Sequence, residues 1–312
     1  MSLSLGQKAG WGLADMGIVV FVIVKQLLIL AFMNSFLGIP IALAGAVTTA
    51  VLIFDIITDP IIGYFSDKTV SRFGRRAPWM LVGAVVLALA MIGLFAVPEN
   101  FTTSASLIWV IVFFLISTLG FTMVSIPYGA MAGEMTLDKK ERSSMTAWRM
   151  AFASLGILVG GALIPILAGD TKSGYTFAAI CVAPLIILSI WFSVFFTRNA
   201  PRTLVPSQQN FSYILKLVLA NRAFVTLVIL YGIMTLAIAL ITAGLPFAAM
   251  YLIMDDGNSL LSGVAKGLGT LSLMFAAFVI GSIISQALWV KLSNLYGKVA
   301  AQLIGILCYI AL

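Results

Sequence analysis

The chain is written in long apolar blocks separated by short polar ones. The blocks fall at approximately 10–36, 40–65, 77–97, 105–132, 144–168, 175–197, 222–253, 263–290 and 299–312. Each of the first eight has the ~20 residues needed to cross a ~30 Å hydrocarbon core as a helix. The ninth run has about 14 residues, or ~21 Å at helical rise, and the sequence stops inside it. The pattern therefore predicts an all-α membrane protein of eight full spans and a ninth begun, truncated within that ninth helix.

Charges inside these blocks carry the chemical information. Asp55 and Asp59 stand four apart in the second block, a spacing that puts both on one helix face. An ionised Asp at a helix centre costs about 2.5–3.5 kcal/mol on insertion scales, so the pair needs a bound cation, a basic partner, protons or water. A charged loop follows at once, with Asp67, Lys68, Arg72, Gly74, Arg75 and Arg76, and a new apolar run starts near Trp79.

Composition agrees with a polytopic membrane protein: 62% hydrophobic residues, 9% charged, and a mean hydropathy of +1.13. The net charge of +7 does not point to nucleic acid, because the basic residues sit in short loops between spans. Lys8, the 68–76 cluster, Lys139, Lys140, Arg142, Arg198, Arg202, Lys216, Arg222, Lys291 and Lys298 fall on one side. Only Lys172 and Lys266 fall on the other, so the basic side and the N-terminus are expected to be cytoplasmic. The chain has no His, and Cys181 and Cys308 lie in apolar runs, so no disulfide, no cofactor and no metal site beyond a coupling Na⁺ is expected. An enzyme reading finds neither a nucleophile with a base nor a nucleotide loop.

The polar stretch R-N-A-P-R-T-L-V-P-S-Q-Q-N after the sixth block reads as a linker. It divides a six-helix bundle (1–197) from a cytoplasmic linker (198–221) and a partial second bundle (222–312). Residues 211–220 could form a short interfacial helix. An internal repeat supports the division. Lys68-x-x-x-x-Phe73-Gly74-Arg75 recurs as Lys291-x-x-x-x-Tyr296-Gly297-Lys298, after the eighth span as the first copy follows the second. Parallel halves of this kind mark the facilitator fold.

The run D-x-x-x-D-P-x-x-G-x-x-S-D-x-T-x-S-R-x-G-R-R-x-P, from Asp55 to Pro78, resembles the signature of the glycoside–pentoside–hexuronide:cation symporters of the major facilitator superfamily. The resemblance implies twelve helices in two halves, a midplane site, and symport of a sugar or similar small solute with Na⁺ or H⁺. It implies cation ligands at Asp55, Asp59 and Thr122, and solute contacts at Asp15 and Arg149. Two departures bear on the substrate. Ser125 stands where melibiose-type carriers have an acidic sugar ligand, and Gly129 where they have an aromatic platform. Ser125 is retained as a solute-site candidate, but a galactoside is not expected. The loop E-M-T-L-D-K-K-E-R, 134–142, also matches the family and reads mostly as solvated charge. Gly156, Gly160 and Gly161 read as a small-residue face for close helix packing.

Lys25, near the middle of the first span, is not called for by the signature. Two readings are open: an ion pair with Asp55 on the neighbouring helix, or a solute-binding ammonium facing the cavity. Pairing would shift coupling to H⁺ or leave a uniporter. The resemblance as a whole implies a monomeric carrier of a small solute in a lipid bilayer, in a bacterial inner membrane. A lysophospholipid-type carrier or an uncoupled uniporter of the same fold is the alternative.

Overall fold

In the computed structural model, residues 3–169, 171–201, 220–251 and 297–311 are described, with scattered positions between 273 and 296. Most of the linker, the helix expected at 211–220 and most of the eighth span lie outside the described residues.

Six helices long and apolar enough to cross a membrane account for the first 197 residues: α1 (Leu5–Ser35), α2 (Ile41–Lys68), α3 (Ala77–Phe95), α4 (Thr103–Met135), α5 (Lys140–Ala168) and α6 (Lys172–Thr197). A seventh helix, α7, runs over Arg222–Tyr251, and a further helix covers Lys298–Ala311. The boundaries follow capping chemistry more than hydropathy. Ser4 and Gln7 form a reciprocal capping box, so α1 starts five residues before the apolar run. Thr102 and Thr171 cap α4 and α6 through their hydroxyls. Asp138 accepts from the backbone N–H groups of Lys140 and Glu141 at the start of α5. The Glu141 and Lys140 amides hold its carboxyl below the usual carboxylate range.

Helix α1 packs between α5 and α6, α3 between α4 and α6, and α2 against α4. The first of these contacts depends on glycine. A Cβ at Gly156 would lie 2.5 Å from the Met16 carbonyl oxygen, and one at Gly12 would lie 2.8 Å from the Arg149 backbone nitrogen. The small-residue face of α5 therefore brings its backbone against that of α1. Both helices also carry one π-helical turn, Val24–Leu28 in α1 and Val159–Leu163 in α5, and the two turns face one another. Helix α7 runs alongside the turn in α1. Much of the outer surface is apolar, including Ile53, Ile56, Ile57 and Ile61 on α2. That surface suits a hydrocarbon solvent.

The two copies of the internal repeat share a backbone feature. Gly74 has φ +92° and Gly297 φ +81°, so each loop turns through the left-handed region that favours glycine.

Replacing Gly156 with Leu is expected to separate α1 from α5, since overpacking a tight contact costs about 1–3 kcal/mol. The melting temperature of the detergent-solubilised protein should fall by several degrees. An unchanged value would mean that the close approach contributes nothing to stability.

Candidate functional site

Two polar clusters lie within the spans, and α1 and α4 contribute to both. The first is built on Asp55 and Asp59 of α2. Lys25 Nζ of α1 lies 2.5 Å from Asp55 Oδ2. The Thr122 hydroxyl of α4 lies 3.1 Å from Asp55 Oδ1 and 3.0 Å from Asp59 Oδ1. The lysine is buried and its ammonium stands 5.8 Å from the Phe121 ring centroid. Its place in the π-helical turn bears on this arrangement. The wider turn alters the face that α1 presents on either side, and such turns recur at functional positions. Of the two readings of Lys25, the ion-pair geometry is the one present. Pro60 follows Asp59 directly, and Pro127 lies five residues after Thr122. Each removes one backbone donor from a helix close to the cluster.

The second cluster is ten residues back along α1, or ~15 Å at helical rise. Arg149 Nε of α5 lies 3.0 Å from Asp15 Oδ2. Asp15 is 2% exposed, whereas the Arg149 side chain is 40% exposed. The guanidinium thus holds a buried carboxylate through Nε while two-fifths of the side chain stays exposed. Trp11 and Tyr128 stack beside it, with ring centroids 4.7 Å apart and planes 16° apart. The guanidinium carbon lies 5.5 Å from the Tyr128 ring centroid and 6.0 Å from that of Trp11. Trp11 Nε1 donates to the Tyr128 carbonyl at 3.3 Å. Asp15 Oδ1 and the Tyr128 hydroxyl are buried without a hydrogen-bond partner among the described residues.

The sequence-predicted residues divide accordingly. Asp55, Asp59, Thr122 and Lys25 come together, and so do Asp15 and Arg149. Ser125 lies on α4 between Thr122 and Tyr128, half-buried, and no described residue hydrogen-bonds its side chain. Trp11 and Tyr128 were not singled out by the sequence. Trp11 stands one helical turn before Asp15, and Tyr128 follows Pro127, so each lay beside a residue already marked.

The charged loop after α2 folds onto the end of α4. Arg76 Nη2 lies 2.7 Å from Asp67 Oδ1, and Arg76 Nε lies 2.8 Å from Glu134 Oε1. Arg75 Nη2 reaches the same oxygen at 3.3 Å. Lys68 bonds the Tyr64 hydroxyl and sits over its ring, and Arg72 stacks on Phe73. Glu134, at 4% exposed, is not among the solvated residues of the 134–142 stretch: two arginines from the α2–α3 loop cover it. Glu141 is likewise engaged, accepting from the Leu3 amide at 2.7 Å and the Thr136 hydroxyl at 2.7 Å, with Lys8 at 3.5 Å.

The donor set of the first cluster tests its fit to a coupling metal cation. Asp55 Oδ1, Asp59 Oδ1 and Thr122 Oγ1 are hard oxygens of the type Na⁺ takes. The Lys25 ammonium, however, already neutralises Asp55, and a second cation would have to share that carboxylate with it. With Lys25 so placed, the residues do not fit Na⁺.

The family model described as MFS/sugar transport protein matches residues 10–312. Among similar proteins, the uncharacterized symporter YjmB of Bacillus subtilis (strain 168) is 28% identical over 97% of this chain and 65% of its own length. The uncharacterized symporter YnaJ of the same organism is 34% identical over 53% of this chain and 36% of its own. The inner membrane symporter YicJ of Escherichia coli (strain K12) is 27% identical over 63% of this chain and 44% of its own. The chain thus spans between about a third and two-thirds of the length of these relatives. Signature, helical architecture and family match agree: the chain belongs to the MFS/sugar transport family and is a multi-pass membrane protein of the glycoside–pentoside–hexuronide:cation symporter type.

Proposed function

We propose that this protein is a secondary active transporter that moves a sugar or similar small polar solute by alternating access, coupled to a monovalent cation. One observation carries the reading. Two charged clusters in the spans share the same two helices, α1 and α4, which supplies a physical connection through which a change of charge at one can bias the other.

Asp15, Arg149, Trp11, Tyr128 and Ser125 would form the solute side. A polyol hydroxyl can donate to Asp15 Oδ1 and accept from the Tyr128 hydroxyl, two of the three buried side-chain atoms that lack partners among the described residues. The exposed part of the Arg149 side chain can bind another oxygen, and the buried Trp11–Tyr128 stack holds the guanidinium in place beside it. Asp55, Asp59 and Thr122 would form the coupling side. Neutralising their residual negative charge lowers the cost of closing apolar helices around them, which favours occluded and exchanging states. The covered Glu134 and its two arginines would hold one gate. The basic end is assigned to the cytoplasm by the positive-inside rule, in a bacterial inner membrane like that in the name of YicJ.

Uptake of a sugar panel into proteoliposomes tests this. At least one solute should accumulate above its outside concentration while an ion gradient is held, and leak back when the gradient is dissipated. Absence of uptake of any sugar, polyol or sugar acid under either a proton or a sodium gradient would reject the carrier reading.

Asp59→Cys is expected to abolish accumulation while preserving solute exchange across the membrane. Full accumulation by this variant at normal expression would remove Asp59 from coupling.

Arg149→Lys keeps the charge but loses the planar fork. It should raise the KM for uptake ~10–100-fold, the effect of losing about 1.5–3 kcal/mol in charge-assisted hydrogen bonds. An unchanged KM would place the solute elsewhere.

A further inference from the structure

We propose that Lys25 is a built-in cation: its ammonium holds the place at Asp55 that a metal cation would need, so this carrier does not bind Na⁺ at the Asp55–Asp59–Thr122 cluster, and removing the ammonium creates a Na⁺ site there. The inference rests on the reading of this cluster as the coupling site and names which ion that site refuses.

Three observations carry it. First, the Lys25 Nζ–Asp55 Oδ2 contact of 2.5 Å is direct, and both side chains are largely shielded, at 9% and 16% exposed. An ammonium in such a place is not a passing counterion. It is tethered by α1, and leaving the carboxylate would strand two charges in an apolar bundle. Second, the oxygens that would ligate a metal are all within the reach of this one charge. Thr122 bonds both carboxylates, so a metal seated on Asp55 Oδ1, Asp59 Oδ1 and Thr122 Oγ1 would lie beside the ammonium on the same carboxylate. Two like charges a few ångströms apart at low dielectric repel strongly, which costs the metal at least ~100-fold in affinity. Third, among the described residues Asp55 is the one carboxylate within ion-pair distance of the lysine. The charged groups bearing on Asp59 are Asp55 from its own helix and Lys25 from α1, and α4 presents the Thr122 hydroxyl and the Phe121 ring.

The charge count agrees. Lys25, Asp55 and Asp59 sum to one net negative charge with both carboxylates ionised; without Lys25 the sum is two. The oxygen set itself suits a hard cation, so the lysine alone is what excludes one.

The test uses the full chain purified in detergent, with thermal unfolding followed in choline chloride and in sodium chloride at matched ionic strength. Wild type is expected to show the same melting temperature in both. Lys25→Met, which keeps most of the length of the side chain and removes its charge, should be stabilised by several degrees in Na⁺, saturably, with no effect of choline. Lys25→Arg should behave as wild type. The double variant Lys25→Met/Asp55→Asn should fold and lose the Na⁺ response.

A saturable Na⁺-specific stabilisation of wild type would overturn the proposal. So would a folded Lys25→Met protein indifferent to Na⁺. Should Lys25→Met fail to fold, wild type and Lys25→Arg decide between the two outcomes. These readouts are of ion binding without transport. A protein that moves no solute at all would sink the carrier reading and leave the sodium result standing.

Discussion

Charge inside an apolar bundle is the constraint around which the rest of this structure is arranged. Two carboxylates on one face of α2 are unfavourable in hydrocarbon unless something pairs with them, and here a lysine from α1 and a hydroxyl from α4 do so. Neither partner is near them in sequence, so the pairing requires α1, α2 and α4 to hold a particular relative height and rotation. The glycine contacts of α1 with α5 and the π-helical turn that carries Lys25 help to fix that height. Breaking a buried pair by removing one partner costs about 3–5 kcal/mol in proteins generally, more than most single packing contacts. Fold and site are therefore the same problem seen at two scales.

The second cluster meets the same constraint differently. Asp15 is more deeply buried than Asp55, yet its partner Arg149 is substantially open. One of its oxygens is unpaired among the described residues, and a buried tyrosine hydroxyl is left the same way. A structural ion pair gains nothing from such half-satisfaction, because an unsatisfied buried polar atom costs about 1–3 kcal/mol. A binding site does gain from it, since the cost is recovered when a hydroxylated solute arrives. The two clusters therefore differ in how fully their buried polar atoms are paired among the described residues, and that difference supports the division of roles proposed above.

How much of this was legible beforehand follows from the physics of each feature. The spans were legible because a bilayer demands long apolar runs, and α1 to α6 fall where those runs lie. Their ends were less so: α1 begins at Leu5 because Ser4 caps it, a signal that hydropathy does not contain. Asp55 and Asp59 announced themselves by cost, and the i, i+4 spacing gave their shared face. Lys25 was visible for the same reason, but its direction was not, because a four-carbon stem can reach either a neighbouring helix or the cavity. Trp11 and Tyr128 stayed hidden because aromatic residues are ordinary in membrane helices. Only the crossing of α1 and α4 stacks them. Glu134 did not stand out from the mostly solvated 134–142 stretch because it sits at the polar end of an apolar run, where solvation is the usual outcome. The α2–α3 loop folding back over it reverses that outcome.

Depth explains why the same residue types do different work here. At the basic end, Glu134 and Glu141 each collect several partners, including arginine, lysine, hydroxyl and backbone groups. Alternative donors are close at that level, so one contact can be exchanged for another. In the middle of the spans there is no such reserve. Asp55 has one lysine and one threonine, and nothing else described replaces them. A site without alternatives is selective, because each change of partner must be an exchange rather than an addition. A single lysine on α1 is therefore harder to replace as a partner than any one arginine of the 68–76 loop, where two arginines already share Glu134.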